Sequence, residues 1–203
     1  TATADDGGAF ATAMLNSVSE NYGADATGEK TIGDFSLTVE DSASGLTSDG
    51  DAITLVKLDN GDVVGATDTT DDASITASTV FTVHVATDGK VTLTQSGAID
   101  HTGTTSTTDE VLNLANGKLS LGATVTVTDG DGDAITQDVT IDLGGNIGFE
   151  DDGPNLSAGL VLESGITLTT DDTETVSGRS DTGDNTATAD DGGAFATAML
   201  NSV

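Results

Sequence analysis

Apolar and polar positions alternate along much of this chain. In TIGDFSLTVE (31–40), Phe35, Leu37 and Val39 fall on one face, the period-two pattern of a strand packed on one side. AITLVKLDNGDVVGAT (52–67) reads as two strands around Asn60-Gly61, and TVFTVHVATDGKVTLTQ (79–95) as two around Asp88-Gly89. Asn-Gly and Asp-Gly tolerate the positive φ that tight hairpin turns require. KLSLGATVTVTDGDGDAITQDVTIDL (118–143) is a third hairpin, and LVLESGITLTT (160–170) adds two short strands. One stretch departs from alternation: FATAMLNSVSENY (10–22) spaces Phe10, Met14, Val18 and Tyr22 at helical intervals. Together these elements predict an all-β fold, an Ig-like antiparallel β-sandwich with one short helix.

A long-range repeat sets the domain organisation. Residues 1–18 read TATADDGGAFATAMLNSV, and residues 186–203 read the same without a change. The offset is 186 − 1 = 185 residues, too long for a solenoid unit and about right for a whole domain. The expectation is a tandem array of near-identical modules, continuing beyond Val203 with a close copy of SENYGAD (19–25). The single proline, Pro154, follows an acidic cluster in GFEDDGPNL (148–156) and reads as a joint between domains. Residues 1–153 then hold most of one module and 154–203 the opening of the next. The alternative is that the later segment folds back and completes the sandwich.

Charge narrows the function. There are 35 acidic residues against 5 basic, a formal net of −30. Nucleic acid is excluded as an expected partner, because phosphate binding needs Lys and Arg, and an anionic membrane surface is disfavoured for the same reason. Cysteine is absent, so stability rests on neither disulfides nor a thiolate metal site. No apolar run reaches membrane-spanning length and no signal peptide opens the chain. Aromatics make up 3% of the residues, so the core must be built from Val, Ile, Leu, Ala and a few Phe.

The acidity concentrates at turns. Asp129, Asp131 and Asp133 alternate with glycine in VTVTDGDGDAITQDVTI (125–141). Neighbouring carboxylates in a loop repel by roughly 0.5–2.5 kcal/mol, depending on the local dielectric, so something must offset the crowding. Ca²⁺ takes six to eight oxygen ligands, and alternate Asp residues in a glycine-rich turn aim several at one centre. The run opens like an EF-hand loop, but Ala134 stands where that loop has glycine and Thr140 where it has a bidentate Glu. The flanks are strands, so this is no EF-hand. The competing reading is a solvated hairpin turn. Glu150, Asp151 and Asp152 beside Pro154 form a second candidate, where a cation would stiffen a linker. Asp5-Asp6, their copies Asp190-Asp191, and Asp171-Asp172 are weaker candidates. Catalysis finds no motif: no G-x-S-x-G, H-E-x-x-H or phosphate loop occurs. His84 reads as an exposed strand residue and His101 as a turn residue with a local hydrogen bond. No enzyme activity and no small-molecule substrate is expected.

Beside this reading stands a resemblance. VTVTDGDGDAITQDVTIDL followed by IGFEDDGP, with GKVTLTQSGAIDHTG (89–103) upstream, resembles the repeat signature of giant RTX adhesins, type I-secreted surface proteins of Gram-negative bacteria. The resemblance implies an extracellular, Ig-like extender module stiffened by Ca²⁺. Its partners would be neighbouring identical repeats, and its task would be to hold an adhesive tip away from the cell during attachment and biofilm formation. Carried onto this chain, it implicates Asp129, Asp131, Asp133, Glu150, Asp151 and Asp152. One departure is plain: the G-G-x-G-x-D nonapeptide run is missing, with only GGNIGFED at 144–151, so this is not the RTX calcium β-roll. A carbohydrate- or protein-binding adhesive module is the alternative, and a salt-adapted enzyme domain a third.

Overall fold

A computed structural model describes residues 1–23, 28–101 and 110–151. All of them fall within one unit of the chain, Thr1–Gly153. The strands expected at 160–170 lie outside the described residues.

The elements run β1 (Ala2–Asp5), α1 (Ala9–Ser17), β2 (Glu29–Val39), β3 (Ala43–Ser48), β4 (Asp51–Lys57), β5 (Val63–Ala66), α2 (Asp72–Ala77), β6 (Thr79–Val85), β7 (Val91–Gln95), β8 (Val111–Asn113), β9 (Leu119–Thr128), β10 (Ala134–Asp142) and β11 (Gly148–Glu150). They form a six-stranded sheet in the order β1-β7-β6-β5-β4-β3, a three-stranded sheet β10-β9-β2 and a two-stranded pair β11-β8. Every pairing is antiparallel. This is the expected all-β sandwich. It is Ig-like in its layering, with two antiparallel sheets face to face, and β3 to β7 follow one another as a meander.

All three predicted hairpins are present. A further hairpin, β3–β4, turns on Asp49 and Gly50, both at positive φ (51° and 85°), with Ser48 paired to Asp51 across the turn. That geometry is the mirror-image turn that matches strand twist.

The core lies between the sheets. Leu37, Leu119 and Leu121 from the three-stranded sheet meet Ile53, Leu55, Val63, Phe81 and Val83 from the six-stranded sheet. Phe149 on β11 closes the cluster, its ring 4.9 Å from that of Phe81, and both are almost fully buried. The phenylalanine of IGFEDD is thus a core residue, and the acidic residues after it emerge from the core.

The predicted helix is shorter than 10–22. It ends at Ser17, and Val18 is already extended (φ −97°, ψ 121°). Asn, Ser and β-branched Val are poor helix formers, and the Lys30 ammonium takes both the Val18 carbonyl and the Glu20 carboxylate. Tyr22 therefore lies beyond the helix. A second helix, α2, is capped by Asp71, whose carboxylate accepts from the Ser74 N–H.

Candidate metal site

The acidic turn joins β9 to β10, whose ladder runs in unbroken register from Asp142↔Ser120 to Ala134↔Thr128. Beyond Thr128 the chain folds over its own first carboxylate. Asp129 Oδ1 accepts from the N–H groups of Gly132 and Asp133, at 3.1 and 2.9 Å. The Asp129 N–H donates to the Asp133 carbonyl at 3.0 Å. Gly132 sits at φ 101°, a value that glycine adopts without strain. This local closure brings the side chains together: Asp129, Asp131 and Asp133 each offer a carboxylate oxygen within 4.8 Å of the others. Oxygens about 2.4 Å from a common Ca²⁺ would be separated by at most about 4.8 Å, so the three fit around one hard cation. The cluster can hold a metal ion.

The electrostatics record the crowding. Asp129 lies below its ordinary pKa because it accepts a hydrogen bond from the Asp131 carboxyl, helped by the N–H groups of Asp133 and Gly132. Asp131 lies above its ordinary value for the same reasons reversed: its hydrogen bond to Asp129, then the charge of Asp129. The two carboxyls thus shift in opposite directions, as neighbouring like charges do.

The other candidates are placed differently. Asp5 and Asp6 are bound to backbone. Asp5 Oδ1 accepts from Gly7 N–H. Asp6 accepts from Gly8, Phe10 and Val91 N–H at 3.0, 2.9 and 2.9 Å, which caps the start of α1 and ties it to β7. Burial raises the Asp6 pKa, but the three N–H bonds outweigh it and hold the carboxyl below its ordinary value. Glu150 ends β11 with its side chain exposed, and the Asp151 N–H donates to the Glu110 carbonyl. Neither joins a second group of three ligating side chains among the described residues. Asp152, Asp171, Asp172, Asp190 and Asp191 lie outside the described residues.

Some polar roles were not read from the sequence. Asp100 accepts from the N–H groups of Asp49 and Gly50, at 3.0 and 2.8 Å, and so fixes the β3–β4 turn. Asp142 holds the N–H groups of Gly117 and Gly144, each at 2.8 Å. His101 has the expected local bond to the Ile99 carbonyl, but its Nε2 also meets the Phe149 carbonyl at 3.0 Å. It thereby clasps β11 to the body of the fold, with Asp151 Oδ1 3.8 Å away. Asp-Gly at 49–50 was a usable signal for that turn; the partners at Asp100 and His101 are long-range and left none. His84 is exposed, as expected, and its Nδ1 lies 2.6 Å from Asp62 Oδ1.

The fold and the turn define a β-sandwich module that carries one acidic hairpin loop able to take a cation. The model of the family described as "Domain of unknown function (DUF5801)" matches residues 1–144, and the chain belongs to that family. No curated protein and no solved structure matches it. Among the described residues, no helix is long and apolar enough to cross a membrane.

Proposed function

We propose that this chain is a calcium-stabilised extender repeat of a bacterial cell-surface RTX adhesin, a module that spaces an adhesive tip from the cell. The observation that carries the proposal is the convergence of Asp129, Asp131 and Asp133 at the tip of one hairpin. The unchanged duplication of residues 1–18 at 186–203 supports the tandem setting. Calcium offsets the repulsion among the three carboxylates, neutralises the loop and orders the β9–β10 tip. Water, or oxygens from an adjoining repeat, would complete the six to eight ligands the ion takes.

Extracellular calcium modules bind at about 10⁻⁴–10⁻³ M. At ten times Kd, one site adds about 1.4 kcal/mol to folding stability. The test is thermal unfolding followed by circular dichroism in calcium, in magnesium and in chelator. Asp131→Ala is expected to lower the melting temperature in calcium and leave it nearly unchanged in chelator. Equal losses in both conditions would remove Asp131 from the ligand set, and equal wild-type stability in calcium and chelator would sink the calcium reading.

A further inference from the structure

We infer that the edge of β7 is a socket for the duplicated segment, and that a second copy of this chain docks there through its residues 186–203. The inference is independent of the calcium reading. In the structure the socket holds residues 1–18. Among the described residues, β1 is an edge strand paired only to β7, from Ala2↔Gln95 to Asp5↔Thr92, and all four of its residues are exposed. The Asp6 N–H donates to the Val91 carbonyl, and the Asp6 carboxylate receives the Val91 N–H in return. Past Gly7 and Gly8, both at positive φ, α1 inserts Ala11 and Met14 into the fold.

The socket is shaped for this plug. Gly89 sits at φ +84°, and a Cβ there would meet the Phe35 ring at 2.5 Å and the Ala11 Cβ at 2.7 Å. Every contact the plug makes comes from residues that recur at 186–203 in the same order: Asp6 as Asp191, Ala11 as Ala196, Met14 as Met199. Two identical segments have identical affinity for one socket, so which copy fills it depends on tethering and concentration alone. Exchange of an identical element between protomers is a low-cost route to association. The plug is also suited to leave, because it lies on a sheet edge with few buried side chains.

The test uses the 203-residue chain and a pair of prolines. With Asp6 bonded to Val91, antiparallel alternation makes Ala4, opposite Leu93, the next residue of β1 to donate to β7; proline there removes the donor. Ala189 is its counterpart in the second copy. Melting temperature and mass in solution are measured over a range of concentrations for Ala4→Pro, Ala189→Pro and the double variant. Ala189→Pro alone should leave the melting temperature unchanged. Ala4→Pro should remain folded through association, its mass rising towards a dimer with concentration. The double variant should lose about 5–10 °C together with that association, and an added peptide TATADDGGAFATAMLNSV should restore the loss. If Ala4→Pro is as unstable as the double variant at every concentration, or if the peptide rescues nothing, the socket does not accept the second copy. If the double variant melts like wild type, the ladder does not hold the plug and the inference also fails.

Discussion

At one end of the β9–β10 ladder, Leu121 pairs with Ile141 over a face closed to water; at the other, Val127 pairs with Ile135, which is 72% exposed. Both pairs point to the same side of the sheet, and the backbone register between them is unbroken. The difference is what lies opposite. Near Leu121 the six-stranded sheet covers the face, and Leu119, Leu121 and Leu143 are fully buried. Towards the acidic turn the cover gives out, leaving open grooves on either side of Val127 and Ile135, lined also by Asn21 and Tyr22. Backbone pairing carries the hairpin past the edge of the core, but burial does not follow it. The candidate metal loop thus stands on a part of the fold with little apolar support, where a bound cation has much to add.

The largest effect expected from breaking this contrast is at the closed end. Leu121→Ala should cost about 2–5 kcal/mol, because the cavity forms where neighbours cannot collapse; urea unfolding measures it. Two carboxylates sharpen the comparison at the next level. Asp6 finds its hydrogen-bond donors within the fold and has a lowered pKa, so its contribution is present above about pH 4 and is lost as pH falls through the depressed folded value. Asp6→Asn should cost about 0.5–2 kcal/mol near neutrality and flatten the acid limb of the stability curve. Asp131 behaves oppositely. Its folded pKa is raised, so in chelator its contribution is present at low pH and lost as pH rises through that value. Asp131→Asn should abolish that decline, and a titration of melting temperature against pH reads both variants. The smallest effect is at the open end: Ile135→Thr should stay within about 0.5 kcal/mol by the same urea assay. A loss as large as that of Leu121→Ala would show that something covers Ile135 in solution.

Local chemistry dictated most of the sandwich. Period-two alternation and Asn-Gly or Asp-Gly turns marked the hairpins at 52–67, 79–95 and 118–143, because a strand with one buried face and a turn at positive φ leave signatures within a few residues. The acidic turn was legible for the same reason: Asp129, Asp131 and Asp133 lie within one loop, and their convergence needs only that loop to close. Elements too short to show a period escaped, among them α2 and the β11–β8 pair. The end of α1 at Ser17 also escaped, since Lys30, which binds the Val18 carbonyl, is distant in sequence.

The sequence by itself determined the strands, the turns, the cluster of like charge at 129–133 and the duplication of the first segment. Tertiary structure decided the rest. It made Phe149 part of the core and set Asp6 against Val91. It gave His101 the carbonyl of Phe149 and left Ile135 beyond the reach of the opposite sheet. These outcomes depend on which residues far apart in the chain come into contact, and alternation fixes only which face of a strand is apolar, never what that face will meet.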